Sequence, residues 1–274
     1  MGGTETQEYN PGLFLLDDDG DDTSTSPSAP APTGSNQPDL LILNQPIASV
    51  DLLSRLWARS RYRICADGGA NRLYDLFSGG GPLLEARRAE FIPTCVHGDF
   101  DSLREDVKSY YIAQGAEVER DPGQLTTDFG KVMLKIKSLH RAPSSSPREV
   151  LVLSSLGGRV DQGIGLLHEM LREETQDPHV RFTLVTETNI TVIVRAGRSV
   201  VRGMKRHGLF KKHSGILPIY GPAVVTTSGF EWDVKDWPTR MGDQVSTNNH
   251  TVDDDIYVQT TAPVLFTVER EPLA

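Results

Sequence analysis

The chain has 274 residues, 38% of them hydrophobic and 24% charged, which is enough for one large domain or two ordinary ones with a substantial core. Its net charge of −9 is concentrated in residues 1–38, which hold seven acidic side chains and no Lys or Arg, so the remainder carries only −2. A nearly neutral body excludes the basic footprint of nucleic-acid binding, and no apolar run approaches the ~20 residues of a membrane span.

Residues 1–38 join an acidic run to a Ser/Pro/Ala/Thr/Gly-rich stretch, a composition too poor in apolar surface to offset its ordering entropy. A disordered tail is expected there, with Leu13-Phe14-Leu15-Leu16 as the one patch able to dock. Cys65 and Cys95 each sit inside an apolar run, which reads as buried, reduced thiols in a cytoplasmic protein. The N-terminus has no basic region followed by an apolar one, in keeping with that compartment.

From Asp39 onward short apolar runs alternate with helical periods. Leu40–Leu43 reads as a strand, 47–60 as a helix, Arg63–Ala66 as a strand and 72–77 as a helix, and 78–82 is a flexible break. Phe91–Val96 is the third strand, 105–114 a helix, and 115–120 a short, partly exposed strand. Thr127 or Asp128 caps a helix that puts Phe129, Val132, Met133 and Ile136 on one face. After the Pro/Ser loop 141–147 come a strand at Val150–Leu153 and a helix at 163–172.

Strands alternating with helices imply a parallel sheet with right-handed crossovers, and such sheets bind ligands outside the carboxyl ends of their strands. Three polar clusters fall at those ends: Asp67-Gly68-Gly69-Ala70-Asn71, Gly98-Asp99-Phe100-Asp101-Ser102, and Gly157 to Gln162. Asp99 and Asp101 repel each other unless a cation or proton lies between them, and Mg²⁺ suits a few carboxylates with positions left for water and phosphate. The same residues are turn formers, so each cluster alone also reads as a tight turn. After about residue 180 only short β-rich runs remain, the pattern of an antiparallel sandwich or barrel. The expected organisation is a tail at 1–38, an α/β domain with a Rossmann-like parallel sheet at 39–187, and an all-β domain at 188–274.

Taken together, Cys65-Ala66-Asp67-Gly68-Gly69-Ala70-Asn71, Gly98 to Ser102, Thr127-Asp128-Phe129 with Lys131, Gly158-Arg159 with Asp161-Gln162, and Ser246-Thr247 with Asn249 resemble the ordered motifs of eukaryotic, fungal-like thiamine pyrophosphokinases. The resemblance covers residues 40–268. It implies transfer of a pyrophosphoryl group from ATP to the thiamine hydroxyl, giving thiamine diphosphate and AMP, with Mg²⁺, in a homodimer whose subunits share the thiamine site.

The resemblance makes Asp99, Asp101 and Asp128 the metal-holding carboxylates. Asp67 and Asn71 then serve the nucleotide or the hydroxyl, and Asp161 orients or deprotonates that hydroxyl. Gly68, Gly69, Gln124, Thr127, Arg159 and Gln162 serve the nucleotide side. Trp232 is the ring for the cationic thiamine to stack on, with Ser246 and Asn249 reading its pyrimidine. The chain departs from the family pattern at Gly123 and Leu125, where acids are usual, and at Asn248, where Ser is usual. Two other readings follow from the same residues. Asp99-Phe100-Asp101-Ser102 matches the Asp-x-Asp motif of haloacid-dehalogenase phosphohydrolases, which form an aspartyl-phosphate. Alternatively, Gly123 and Leu125 mark a thiamine or nucleotide sensor that binds without turnover.

Overall fold

The computed structural model describes residues 6–16, 37–79, 81–123, 126–140 and 147–273. The chain divides into two compact units, with the boundary between Thr186 and Glu187, and residues 6–16 belong to the unit that follows it. Its first strand, β1 (Gln7–Tyr9), lies in that second unit and pairs in parallel with a strand near residue 200.

The α/β unit runs β2 (Asp39–Ile42), α1 (Val50–Arg59), β3 (Arg63–Ala66), α2 (Gly69–Asp75), α3 (Pro82–Glu90), β4 (Cys95–Gly98), α4 (Glu105–Ala113), β5 (Glu117–Arg120), α5 (Asp128–Leu139), β6 (Arg148–Leu153), α6 (Val160–Gln176) and β7 (Val180–Val185). The sheet order in this unit is β7-β6-β2-β3-β4-β5, and every pair is parallel. β2 is central and covered on both faces, so Leu40, Leu41 and Ile42 are fully buried, each contributing roughly 1.5–3 kcal/mol of burial. β5 closes one edge with an exposed Glu-Val-Glu-Arg run, and Lys135 reaches it with bonds of 2.7 Å to Glu117 and 2.5 Å to Glu119. From β2 the chain winds outward through β3, β4 and β5, then returns to the other side of β2 as β6. The reversal leaves a crevice beyond the carboxyl ends of β2 and β6.

The second unit adds β8 (Asn189–Val194), β9 (Gly197–Val201), β10 (Phe210–Leu217), β11 (Ala223–Ser228), β12 (Trp237–Thr239), β13 (Ser246–His250), β14 (Ile256–Thr260) and β15 (Val264–Arg270). One sheet has the order β1-β9-β14-β11-β12, and β13-β10-β15-β8 are neighbours in the other. β14 alternates buried and exposed residues, as a strand with one face on a core must. Among the described residues no helix is long and apolar enough to cross a membrane.

The expected disordered tail is corrected over residues 6–16. β1 adds to the edge of β9, the Tyr9 hydroxyl accepts the Arg195 N–H at 3.1 Å, and Phe14 and Leu15 are buried. The expectation failed because composition averages the few anchoring residues, Tyr9, Phe14 and Leu15, into their polar surroundings. Residues 17–36, with most of the acids and the Ser/Pro stretch, lie outside the described residues. The third strand begins at Cys95 and not at Phe91, since Pro93 has no N–H for a ladder. Residues 244–245 are not a strand, while β12 and β13 on either side of them are. Cys65 and Cys95 are buried and unbridged, and burial pushes the Cys95 thiol up to about 12.

Candidate active site

Three chain segments meet at the rim of the parallel sheet. Asp67 directly follows β3; its φ of 42° is left-handed, and its N–H donates to the His97 carbonyl at 3.0 Å. A Cβ on Gly98 would stand 2.8 Å from the Asp67 Cβ, so only glycine lets β4 leave the sheet that close to β3. Beyond it the 99–102 turn folds on itself, with Phe100 left-handed and Asp99 Oδ1 accepting the Asp101 N–H at 3.2 Å. α5 supplies the third segment. Thr127 caps it by accepting the Gly130 N–H at 3.1 Å, which sets Asp128 in the first turn.

Carboxylate oxygens of Asp67, Asp99 and Asp128 all lie within 4.8 Å of one another, the metal-competent set found among the described residues. It differs by one residue from the sequence expectation, which had Asp101 in place of Asp67. Asp101 accepts the Ser102 hydroxyl at 2.8 Å, while Asp67 Oδ2 accepts the Ser102 N–H at 3.0 Å. Asp67 is only 2% exposed, and its Oδ1 is buried with no hydrogen-bond partner.

The three acids are electrostatically unequal. Burial raises the Asp67 pKa, and the neighbouring Asp128 and Asp101 add to that despite the Ser102 bond. Burial also raises Asp128, with Asp99 beside it. Asp99 goes the other way, because the Lys131 ammonium bonds its Oδ2 at 2.7 Å and holds it below the usual carboxylate range. Lys131 also reaches Asp128 Oδ1 at 3.4 Å. Burial opposes its charge, but these carboxylates outweigh that and raise its pKa.

Beside the acids a cavity of about 400 Å³ opens at the point where the strand order reverses, lined by Asn44 and Gln45 after β2 and by Ser154, Ser155 and Gly157 after β6. Asp99, Thr127, Asp128, Asp161 and Gln162 also line it. Gln124 lies outside the described residues. Asn71 clamps the turn: its Nδ2 donates to the Ser102 carbonyl at 2.7 Å and its Oδ1 accepts the Arg104 N–H at 3.1 Å, which leaves one N–H and one lone pair of the amide uncommitted by these bonds. A Cβ on Gly69 would meet the Ile42 carbonyl at 2.3 Å, and one on Gly68 the Asn44 amide at 2.3 Å, so this pair lets α2 start against the end of β2. Arg159 and Asp161 form an exposed two-bond pair at 3.1 and 2.6 Å, and the Arg159 hydrogen bond lowers the Asp161 pKa.

The second unit has its own cavity, of about 270 Å³, lined by Trp232, Ser246 and Asn249 together with Trp237, Asn248 and Ile216. Trp232 is 55% exposed, with its ring 4.9 Å from that of His250. Asn249 holds its loop, accepting the Trp232 N–H at 3.3 Å and donating to the Trp232 carbonyl at 3.0 Å. Asn248 has a left-handed φ of 59°, a conformation Asn tolerates better than the Ser usual there in the resembling family.

Sequence reasoning missed Asn44, Gln45 and Trp237. The polar Asn44-Gln45 step directly after a buried strand was the available signal for the first two. For Trp237 no comparable signal exists, since an aromatic in a β-rich run reads as core.

The protein thus joins a parallel-sheet α/β unit with an acidic rim to an all-β unit with its own polar-aromatic cavity. The family model "Thiamin pyrophosphokinase, catalytic domain" matches residues 53–182, and "Thiamin pyrophosphokinase, vitamin B1 binding domain" matches residues 200–265. The Arabidopsis thaliana protein named Thiamine pyrophosphokinase 1 is 34% identical over 235 residues, 84% of this chain and 85% of its own. A solved structure, thiamin pyrophosphokinase from Candida albicans, shares the fold with a TM-score of 0.79 at 22% identity, covering 99% of this chain and 95% of its own. The yeast thiamin pyrophosphokinase structure does so with a TM-score of 0.79 at 24% identity, covering 97% and 91%. The chain belongs to the thiamine pyrophosphokinase family.

Proposed function

We propose that the chain transfers the pyrophosphoryl group of ATP to the hydroxyl of thiamine, forming thiamine diphosphate and AMP with Mg²⁺ as the metal. The observation that carries the metal reading is the Asp67-Asp99-Asp128 set beside the 400 Å³ cavity, with Asp67 Oδ1 buried and unpartnered. An all-oxygen donor set of a few carboxylates fits Mg²⁺, which leaves its other positions to water and phosphate. When bound, the ion neutralises and orients the polyphosphate oxygens.

The chain's own groups have distinct tasks in this reading. Asp67, Asp99 and Asp128 would hold the ion, and Asp101, beside Asp67, would add negative charge to that rim. Asn44, Gln45, Thr127, Gln162 and the Gly157-Gly158 turn line the crevice of a Rossmann-like sheet and take the nucleotide. Asp161, kept ionised by Arg159, accepts a hydrogen bond from the thiamine hydroxyl and orients it. The hydroxyl oxygen attacks the β-phosphorus, the bond from that phosphorus to the α,β-bridging oxygen breaks, AMP leaves with that oxygen, and the proton passes to water. In a homodimer that shares the thiamine site, the β unit of one subunit would offer the Trp232 ring face and the cavity with Ser246 and Asn249 to the thiamine whose hydroxyl lies at the other subunit's α/β unit. Val160 and Ile164, one turn apart on α6 and 76% and 64% exposed, support a homodimer interface beside the nucleotide crevice. The protein is read as cytoplasmic.

The test is a product analysis. Purified protein with ATP, thiamine and Mg²⁺ yields thiamine diphosphate and AMP in equal amounts. Formation of ADP, hydrolysis of phosphomonoesters, or binding of both substrates without turnover contradicts the reading.

A further inference from the structure

Lys131 is the buried cation at this site, and the metal reading gives it no task. Its side chain is 1% exposed, and its two anionic partners among the described residues, Asp99 at 2.7 Å and Asp128 at 3.4 Å, both belong to the three-carboxylate set. Arg120 is the other cation acting on Asp99, but it bonds the backbone carbonyl at 2.9 Å and leaves the carboxylate to Lys131. An ion pair that served stability alone gains little from sitting within a metal-competent cluster, because burying the ammonium costs solvation that the pair must first recover. Three carboxylates with oxygens inside 4.8 Å also repel one another, and one ammonium relieves that only in part.

We infer that Lys131 is a resident counter-ion that competes with the divalent metal for Asp99 and Asp128, holding the acids together while weakening their grip on a free ion. The inference rests on the metal reading of the preceding section. A metal on Asp99 Oδ2 would compete for the ammonium's shortest bond, and two positive charges would then share the same partly exposed carboxylates. The displaced ammonium needs a new anion, and a polyphosphate is the class of ligand that supplies one. Metal therefore binds weakly to the empty protein and firmly when it arrives with its polyanion.

The experiment is a Mn²⁺ titration of nucleotide-free protein, read by the loss of the free-ion paramagnetic signal, for the wild type, Lys131→Met, Lys131→Gln and Lys131→Arg. The two neutral variants are expected to bind Mn²⁺ about tenfold more tightly than the wild type, and Lys131→Arg to stay within about twofold of it. Their melting temperatures should also rise more on adding Mn²⁺ than that of the wild type. Neutral variants that unfold without metal and refold when Mn²⁺ is added support the inference equally, because the ion then replaces the ammonium. Equal or weaker Mn²⁺ binding in both neutral variants overturns it, as does a loss of fold that Mn²⁺ does not restore, which would make Lys131 a structural ion-pair partner. The readout needs no turnover, so a wild type that makes thiamine diphosphate while the titrations come out equal separates failure of this inference from failure of the proposed reaction.

Discussion

The backbone N–H of Ser102 donates to Asp67 Oδ2 at 3.0 Å, tying the turn after β4 to the residue that follows β3. The bond fixes one Asp67 oxygen and leaves the other buried and unpartnered inside the acidic set. Asp67, and not the more conspicuous Asp101, therefore completes the three-carboxylate group.

Asp67→Asn keeps an acceptor for Ser102 but removes a metal-directed charge. Turnover should fall by at least about 10²-fold with the fold intact, on the scale of losing one preorganised electrostatic contact. Asp101→Asn should cost less, about tenfold, since its carboxylate lies outside the set. Steady-state kinetics beside circular dichroism check this. The reverse order of the two losses would return the metal role to Asp101.

The same acids set a pH dependence of stability in the absence of metal. Asp67 and Asp128 have raised folded-state values, so the folded chain holds their protons more tightly than the unfolded one, and stability falls as pH rises from the unfolded value (~3.9) through the folded ones. Asp99 is lowered, so its contribution is present above the unfolded value and is lost only as pH falls through its folded one. Asp128→Asn should consequently melt higher than the wild type at pH 7, with the gain shrinking toward pH 4. Thermal melts in chelator read this directly, and a gain that grows as pH falls would contradict the sign.

In the β unit, Asn249 holds both the N–H and the carbonyl of Trp232. Asn249→Ala should raise the KM for thiamine about tenfold while the KM for ATP stays within twofold, because the ring proposed to stack on thiamine loses its anchor and the proposed nucleotide crevice lies in the other unit. Parallel shifts in both constants would mean that Asn249 supports the fold at large.

Away from the site, His140 Nε2 meets Asp39 Oδ2 at 2.7 Å, and the Asp39 side chain is fully buried. His140→Leu leaves that carboxylate without its partner in the sheet core, and should cost roughly 3 kcal/mol of unfolding free energy. Urea denaturation measures it, and a cost below about 1 kcal/mol would show that the pair is dispensable.

The elements legible in sequence are those whose burial leaves a one-dimensional trace. β2, β3 and β6 read as continuous apolar runs because both faces of the sheet are covered. α3 buries no residue and so has no apolar period; Pro82 at its first turn was its only mark. β13 reads Ser-Thr-Asn-Asn-His and is a strand through its pairing with β10, a relation no local pattern carries. At the site, glycine and aspartate at strand ends announced the rim. What stayed hidden was which atoms converge: Asp67 turning inward through a left-handed backbone, and Lys131 reaching from α5 to the β4 turn. Nor could sequence show that Asn71 clamps the turn after β4.

The most direct measurement is the position of a Mn²⁺ ion, located by its anomalous scattering in crystals grown with thiamine and a non-hydrolysable ATP analogue. The expected result is an ion held by carboxylate oxygens of Asp67, Asp99 and Asp128, with the analogue's phosphates completing its shell and its nucleoside in the cavity between the ends of β2 and β6. An ion on Asp101 without Asp67, or phosphates bound away from this rim, would contradict the assignment.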